Sequence, residues 1–368
     1  MVATLHFFRE NARDSNFNIR YRPRQVVRGQ DSRPRVILHI GLHKTGTRYL
    51  QREVFGQLDP TLYNVNPESV WLPLRQAVRR CNDTLAREAA REAVRQWRYS
   101  GDGRSLIISE PHISGDMYGN HHDFAENAAL MRELFPEARI LYFVRDQADW
   151  LQSAYRQQLV KGGSVPPHVF LNHYDGAFVP RPDRWVYGAR TVEALNQRFL
   201  AIYNIYRDLF GEERVDLVRQ EDLRGHPEVV KARIANILGL TALPEVRREK
   251  TQNRSYSALA IQIFHPGTRQ YRPTPTADDL GHRPSRHRKA LRPLKRLRRL
   301  FIQHVFDKLI YRDWDLLGAD AMRERIKAHY AEENREIARI AGITLARTRP
   351  ARFSTGQAPA LTIDTQAI

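Results

Sequence analysis

The fold of this chain is decided by residues 36–50, which read Val-Ile-Leu-His-Ile-Gly-Leu-His-Lys-Thr-Gly-Thr-Arg-Tyr-Leu. The first five of these residues are mostly β-branched or apolar and lie between Pro34 and Gly41, so they predict a short buried strand. A loop with two glycines follows, and apolar side chains return at helical spacing over residues 48–55. The sequence therefore predicts a strand, a tight loop and a helix in succession.

Short apolar runs alternate with helical patterns along the next part of the chain. The further predicted strands are 105–109, 139–144 and 215–218, and the predicted helices are 84–98, 124–135, 149–159, 192–210 and 228–238. Strands that alternate with helices are typical of a parallel sheet covered on both faces, because each crossover places a helix against the sheet. We therefore expect an α/β fold of three layers, with a central parallel sheet between helices, of the P-loop nucleotide-binding type.

The composition divides the chain into a basic arm, one large domain and a polar tail. Residues 1–34 are rich in arginine and turn formers, and residues 346–368 are polar and predicted to be disordered. The expected single domain covers 35–345 and has three parts: a core at 35–257, a basic insertion at 265–300 and a C-terminal helix at 322–342. Between Gly281 and Leu300 the insertion holds nine Lys and Arg and no acidic residue, which is typical of a solvated segment.

The chain has the composition of a globular protein with a large excess of positive charge. Of its 368 residues, 42% are hydrophobic and 27% are charged, and the net charge is +18. Such a charge favours anionic partners, such as nucleic acid, anionic membrane surfaces or polyanionic small molecules. The N-terminus lacks the apolar segment of a signal peptide, no apolar run is long enough to span a membrane, and Cys81 is the only cysteine. We therefore expect a cytoplasmic protein, for which peripheral contact with an anionic membrane stays open.

The loop at residues 41–48 has the features of a phosphate site. It joins a strand to a helix, where backbone N–H groups and the helix N-terminus favour an anion. Lys44 supplies a positive charge, and Thr45 and Thr47 supply hydroxyl donors. The loop is not a Walker A motif, whose Lys follows the last glycine, because Lys44 precedes Gly46. A phosphate site without a metal fits the pattern better, and an ordinary turn with a chance lysine is the alternative.

A second cationic site follows the predicted strand 139–144. Arg145 ends this strand, and Ser153 lies eight residues further on, in the next predicted helix. A guanidinium at a strand end and a hydroxyl in the following helix can converge on one phosphate. The alternative is a helix capped by an aspartate, with a solvated arginine beside it.

Taken together, the two sites resemble those of the PAPS-dependent sulfotransferases, where PAPS is 3′-phosphoadenosine 5′-phosphosulfate. Lys44-Thr45-Gly46-Thr47 is similar to the family's 5′-phosphosulfate loop, and Arg145, Ser153 and Tyr155 are similar to its 3′-phosphate motif. The resemblance covers about 36–257 and 322–342. It implies that PAPS is the co-substrate and that no metal takes part. The donor-binding residues that it implies are His43, Lys44, Thr45, Gly46, Thr47, Arg48, Arg145 and Ser153.

Two positions depart from the family pattern. Arg48 stands where many members have Thr or Ser, so the contact to the phosphosulfate there is expected to be ionic. Gln147 replaces a frequent proline, which should alter only the turn.

A candidate base follows the predicted strand 105–109, where Glu110 and His112 come next in the chain. In open parallel sheets ligands bind beyond the carboxyl ends of the strands, so both residues should lie near the donor loop. An acceptor hydroxyl needs a base within hydrogen-bond reach, and the resemblance implies a Glu or a His in that role. We favour Glu110, with His112 as the alternative. The run His121-His122-Asp123 lacks a second pair of ligands at convincing spacing, so we predict no metal site.

The predicted function is transfer of a sulfuryl group from PAPS to an acceptor hydroxyl or amine, with Lys44 and Glu110 or His112 as the catalytic residues. By analogy with bacterial members, the acceptor is expected to be a carbohydrate or glycolipid, and no specific nucleic acid is expected as a partner. Two alternatives stay open. One is a P-loop kinase-like phosphotransferase, and the other is a non-enzymatic binder of nucleic acid or anionic surfaces, for which the basic run at 283–299 would be suited.

Overall fold

The computed structural model describes residues 35–161, 165–180, 185–186, 189–244, 256–265, 297–298, 300–317 and 320–342. The predicted basic arm, the predicted disordered tail and nearly all of the predicted basic insertion lie outside these residues. Those three segments, and the domain boundaries that depend on them, therefore stay predictions.

A five-stranded sheet forms the centre of the molecule. Its strands are β1 (Val36–His39), β2 (Tyr63–Val65), β3 (Ser105–Ser109), β4 (Arg139–Val144) and β5 (Val215–Arg219). All neighbouring strands are parallel, in the order β2-β3-β1-β4-β5. The predicted α/β fold with a central parallel sheet is confirmed, and the three-residue edge strand β2 is an addition to it.

Helices follow the strands along the chain. The helix after β1, α1, is continuous but irregular: it runs through Thr47–Tyr49, a π-helical turn at Leu50–Val54 and a 3-10 turn at Phe55–Gln57. The other helices are α2 (Glu68–Arg79), α3 (Thr84–Tyr99), α4 (Phe124–Leu134), α5 (Gln147–Val160), α6 (Pro167–Phe170), α7 (Phe199–Phe210), α8 (Asp222–Gly225), α9 (Pro227–Leu238), α10 (Ala258–Phe264), α11 (Asp307–Leu309), α12 (Asp320–His329) and α13 (Ala331–Ala341).

Alternate side chains of each strand enter two different apolar cores, one on each face of the sheet. In β1, Leu38 packs into one core and Ile37 into the other, and in β4 Tyr142 and Phe143 divide in the same way. This is the two-residue period of a strand that is buried on both faces. The larger core contains side chains from α2, α3, α4, α5 and α7, and the smaller one contains side chains from α1 and α9. The sheet is therefore the middle of three layers, as the sequence predicts.

The predicted helix 192–210 is wrong in its first part, because α7 begins only at Phe199. The backbone ahead of it is held by contacts with distant residues. Gln197 N donates to the Tyr330 hydroxyl at 2.8 Å, and Val192 N donates to the carbonyl oxygen of Phe170 at 2.8 Å. These bonds occupy N–H groups that would otherwise serve a helix.

The predicted C-terminal helix 322–342 is also corrected, since it consists of two helices, α12 and α13, that break at Tyr330. Tyr330 has φ −95° and ψ 7°, outside the helical region. Its hydroxyl accepts the bond from Gln197 N and donates to the carbonyl oxygen of Ala194 at 3.0 Å. The break is therefore fixed by a buried phenol that ties this end of the chain to the segment before α7.

Two small antiparallel strand pairs lie between α5 and α7, at His173–Tyr174 with Ala177–Phe178 and at Trp185–Val186 with Ala189–Arg190. The second pair ends at Arg190, whose guanidinium nitrogen lies 3.7 Å from a carboxylate oxygen of Asp116.

Within the described ranges, no helix combines the length and the apolar character needed to cross a membrane.

Candidate functional site

Three loops meet at the carboxyl edge of the sheet, after β1, β3 and β4. Strand β1 lies between the other two: after β1 the chain continues to β2 and β3 on one side, and after β3 it crosses to β4 on the other side. A switch point of this kind opens a crevice where parallel sheets bind their ligands. The three loops carry Lys44, Glu110 and Arg145 in turn, so the structure brings the three predicted charged groups to one edge.

The loop after β1 has a backbone that requires both of its glycines. A Cβ atom on Gly41 would lie 2.7 Å from His39 Nε2 and 3.0 Å from Phe143 Cβ, so a larger residue does not fit. Gly46 has φ 94°, which glycine adopts without steric cost. Lys44 between them has φ 71°, a left-handed conformation that is uncommon for a residue with a side chain. The loop is thus held in a shape that few sequences can adopt.

The two threonines of the loop differ in what their hydroxyl groups can do. Thr45 is fully buried and its hydroxyl donates to the carbonyl oxygen of Leu42 at 2.6 Å, so this donor already stabilises the turn. Thr47 is nearly buried, and its Oγ1 has no hydrogen-bond partner among the residues that the structure describes. Buried hydroxyls are normally satisfied, so of the two predicted hydroxyl donors Thr47 is the one with spare capacity for a ligand.

Lys44 carries a charge that its surroundings disfavour. Burial, and after it the positive charges of Arg48 and Arg145, lower the pKa of Lys44 from 10.5 to about 8. No carboxylate in the part of the chain that the structure describes forms an ion pair with its ammonium group. A buried ammonium group that lies near other positive charges, with no carboxylate partner among the described residues, is typical of a site for an anionic ligand.

Trp150 joins the loop after β1 to the helix after β4. Its indole Nε1 donates to the carbonyl oxygen of His43 at 2.7 Å, and its ring is fully buried. The ring of His43 packs edge-on against that of His112, with centroids 4.5 Å apart. Burial, and then the charges of its neighbours, hold the pKa of His43 well below 6.5, so this imidazole is neutral.

Arg145 lies beside the first turn of α5. Burial lowers its pKa, while the charges of Asp149 and Glu221 act in the opposite direction. The closest oxygen of Asp149 is 4.0 Å from the guanidinium. Asp149 is also bound by Arg323 of α12, which in addition contacts Asp315 at 2.8 Å. Since Arg323 shares the carboxylate of Asp149, it leaves Arg145 with a weak ion pair.

Ser153 lies two turns into α5. Within α5, Asp149 and Ser153 are four residues apart and so lie on one side of the helix, and Arg145 reaches Asp149 from the end of β4. Ser153 is partly buried, and its hydroxyl makes no hydrogen bond to any residue of the described segments. That Arg145 and Ser153 hold one phosphate together stays a prediction.

Glu110 and His112 form a hydrogen-bonded pair at the end of β3. Glu110 is 3% exposed, and its Oε1 lies 2.6 Å from Nδ1 of His112. Its Oε2 lies 3.4 Å from Nε of Arg75. Burial acts to raise the pKa of Glu110, but the contacts with His112 and Arg75 outweigh it, and the pKa is lowered. An ionised Glu110 can accept a hydrogen bond from Nδ1–H of His112, and in the neutral ring with this tautomer the lone pair lies on Nε2.

Some residues of the site carried no recognisable sequence signal. Arg75 lies in a helix that was not predicted, and Arg323 reaches the site from a position 174 residues away from Asp149. Trp150 lies within the predicted 3′-phosphate motif, but its bond to His43 depends on tertiary structure alone. Among the described residues, no group of three or more His, Cys, Asp or Glu is placed to hold a metal ion.

Comparisons with known proteins give little further guidance. No protein-family model matches the sequence, and no curated protein matches it. Among solved structures, a sulfotransferase from Alicyclobacillus acidocaldarius is similar, with 17% sequence identity and a TM-score of 0.40. The similarity covers 64% of this chain and 91% of that chain. At this level it does not assign an activity.

Proposed function

We propose that this protein is a sulfotransferase that moves a sulfuryl group from PAPS to a hydroxyl or amine of an acceptor. The observation that carries the proposal is that Lys44 and Arg145 share one edge of the sheet, where the charge of Arg145 lowers the pKa of Lys44. Two cations from separate loops suit a nucleotide with a phosphate at each end. The resemblance of both loops to the sulfotransferase motifs supports the same donor.

The side chains around Lys44 fit the phosphosulfate end of the donor. The unpaired ammonium of Lys44 and the partnerless hydroxyl of Thr47 are groups that phosphosulfate oxygens would satisfy. Arg48 would add a second cation. At the other end, Arg145 and Ser153 would hold the 3′-phosphate. PAPS, when bound, supplies the activated sulfuryl group.

We assign the base to His112 and an orienting role to Glu110. The Glu110 carboxylate is engaged by His112 and Arg75 and its pKa is lowered, so it is a weak proton acceptor. The same contact fixes the tautomer of His112 in which Nε2 can accept a proton. The sequence favoured Glu110 as the base, with His112 as the alternative, so this assignment takes the alternative.

The chain's residues would then divide the reaction as follows. His112 Nε2 takes the proton of the acceptor hydroxyl, and the acceptor oxygen forms a bond to sulfur. The bond between sulfur and the bridging oxygen of the donor breaks, and its electron pair stays on that oxygen in adenosine 3′,5′-bisphosphate. Lys44 stabilises the charge that grows there, which is a preorganised electrostatic contribution.

The acceptor is proposed to be a carbohydrate or glycolipid, handled by a cytoplasmic protein that can contact an anionic membrane at its periphery. The support is the resemblance to bacterial sulfotransferases together with the net charge of +18.

Calorimetry with adenosine 3′,5′-bisphosphate and ADP tests the donor. We expect the bisphosphate to bind at least about tenfold more tightly, because only it offers a 3′-phosphate to Arg145. Lys44→Met should weaken this binding, whereas Lys231→Met, which removes a surface lysine paired with Glu228, should not. Equal affinity for the two nucleotides, or a preference for ADP, would point to the kinase-like alternative.

A further inference from the structure

A second group of cations lies beside Glu110 and His112. This group, the basic cluster, consists of Arg75, Arg79, Lys161 and Arg190. Arg75 and Arg79 are one turn apart on α2, Lys161 caps the end of α5, and Arg190 ends the second small strand pair. Arg75 touches Glu110 at 3.4 Å, and Arg190 lies 3.7 Å from Asp116, on the segment that follows His112. Three separate parts of the chain thus bring positive charge to the region around Glu110 and Asp116.

The members of the basic cluster act on one another electrostatically. Partial burial and the charge of Arg75 lower the pKa of Arg79, and Arg190 contributes further. Partial burial lowers the pKa of Lys161 as well, followed by the charges of Arg190 and Arg79. These side chains are therefore near neighbours that repel each other, which costs free energy in the absence of an anion.

The basic cluster holds more positive than negative charge. Glu110 pairs with Arg75 and Asp116 with Arg190, so four cations and two carboxylates leave two positive charges. Neither Arg79 nor Lys161 forms an ion pair with any residue of the described ranges. Both keep exposed surface, so a ligand can reach them.

Two of the cations are held in place by aromatic rings. The guanidinium of Arg75 lies 5.1 Å from the ring centroid of Trp71, and that of Arg190 lies 5.1 Å from the ring centroid of Tyr118. Cation–π contacts of this kind restrict the side chains before any ligand binds. An anion that binds here would lose little free energy to the ordering of these two groups.

The basic cluster is separate from the proposed 3′-phosphate site. The charges that act on Arg145 come from Asp149, Glu221 and Arg224, on the opposite side of β1 from Glu110. In the proposed function, Lys44, Arg48 and Arg145 already receive the phosphates of the donor. The basic cluster instead adjoins Glu110 and Asp116 through Arg75 and Arg190. Its member nearest the donor loop is Lys161, whose charge also lowers the pKa of Lys44, so the cluster lies between the proposed base and the phosphosulfate end of the donor.

We infer that the acceptor is an acidic saccharide, whose carboxylate, sulfate or phosphate group binds to Arg79 and Lys161 while its hydroxyl or amine faces His112. Arg75 and Arg190 flank this anionic group. The inference rests on the proposed function, because it identifies the acceptor side by the position of the base. It restricts the substrate class to saccharides that already carry negative charge.

Calorimetry with a short oligogalacturonate tests the inference. The matched neutral probe is the same oligosaccharide with its carboxylates converted to methyl esters. Adenosine 3′,5′-bisphosphate is present at saturation, so the acidic probe cannot occupy the donor site. We expect the acidic probe to bind wild-type protein at least about tenfold more tightly than the neutral one.

Arg79→Gln and Arg80→Gln form a matched pair of variants. Both remove one positive charge at the end of α2, but Arg80 faces Asp83, at 3.4 Å, and lies outside the basic cluster. We expect Arg79→Gln to weaken binding of the acidic probe by about tenfold and Arg80→Gln by less than about twofold.

Three results would overturn the inference: no binding of the acidic probe to wild-type protein, equal binding of the two probes, or equal losses in the two variants. Failure of the proposed function looks different, because adenosine 3′,5′-bisphosphate itself would then not bind.

Discussion

Trp150 Nε1 donates a hydrogen bond of 2.7 Å to the carbonyl oxygen of His43. The bond joins the residue before Lys44 to the helix that begins just after Arg145. Because Trp150 is fully buried and packs against Phe199 and His121, it has little freedom to move. The two cationic loops are therefore joined by this side chain as well as by the backbone bond of 3.1 Å from Leu42 N to the carbonyl oxygen of Phe143.

Trp150→Phe should destabilise the protein and weaken nucleotide binding together. The change leaves the carbonyl of His43 without its donor, which costs on the order of 1–3 kcal/mol beyond the loss of packing. Trp97→Phe is the matched control, because within the described segments the indole nitrogen of Trp97 has no hydrogen-bond partner. Denaturant unfolding and titration with adenosine 3′,5′-bisphosphate measure both effects. Equal changes in the two variants would show that the hydrogen bond has no role of its own.

Lys44→Met should make the unliganded protein more stable at pH 7, and this advantage should disappear at higher pH. The pKa of Lys44 is about 8 in the folded protein, below its ordinary 10.5. Between these two values the unfolded chain binds more protons than the folded one, so the stability of the wild type rises with pH across this window. Below pH 8 the cost of the buried charge is fully present, and methionine removes it.

The measurement is denaturant unfolding of both proteins between pH 7 and pH 10, in buffers free of phosphate and sulfate. Lys231→Met, which removes a lysine on the surface, is the control and should not show the gain in stability at pH 7. A Lys44→Met protein that is less stable than the wild type at pH 7, with no dependence on pH, would contradict the account.

Arg323→Met should weaken binding of adenosine 3′,5′-bisphosphate by about tenfold, because a released Asp149 would pair with Arg145 and compete with the 3′-phosphate. Binding of 5′-AMP, which lacks that phosphate, should change little. The double variant Arg323→Met/Asp149→Asn should recover the affinity. Arg325→Met, two residues along the same helix, serves as the control, since Arg325 contacts Gly176 and Phe178 instead. If the Arg323→Met variant bound adenosine 3′,5′-bisphosphate as tightly as the wild type, Arg323 would have no role in donor binding.

His112→Gln should lower the rate of sulfuryl transfer from PAPS, to acceptor or to water, by about 10²–10⁴-fold. Glu110→Gln should lower it by less, because the imidazole remains while its tautomer is no longer fixed. Neither change should greatly alter the affinity for adenosine 3′,5′-bisphosphate. If Glu110→Gln lowered the rate more than His112→Gln, Glu110 would be the base and His112 the orienting residue.

The strands of the central sheet could be predicted from the sequence because the signals for buried strands are local. The runs at Ser105–Ser109 and Arg139–Val144 are continuous and apolar, as strands buried on both faces must be, and their bounds agree with the structure. The shared position of Lys44 and Arg145 followed from the same fact, since the ends of neighbouring parallel strands meet at one edge.

What the sequence could not predict depends on distant partners. The start of α7 and the break between α12 and α13 are both fixed by the hydroxyl of Tyr330, which lies 133 residues from Gln197. The pKa of Glu110 is lowered first by His112, two residues along, and then by the charge of Arg75, which lies in a helix that the pattern did not reveal. Periodicity reports which face of a segment is buried, but not which side chain lies against it.

The central claim is that Arg145 binds the 3′-phosphate of a nucleotide whose 5′ end is bound by Lys44. Its most direct test is the ratio of the affinities for adenosine 3′,5′-bisphosphate and 5′-AMP, measured by calorimetry in the wild type, Arg145→Met and Lys44→Met. We expect the wild type to prefer the bisphosphate by at least about tenfold, Arg145→Met to lose that preference, and Lys44→Met to bind both nucleotides more weakly while keeping it. A preference that survives intact in Arg145→Met would contradict the account.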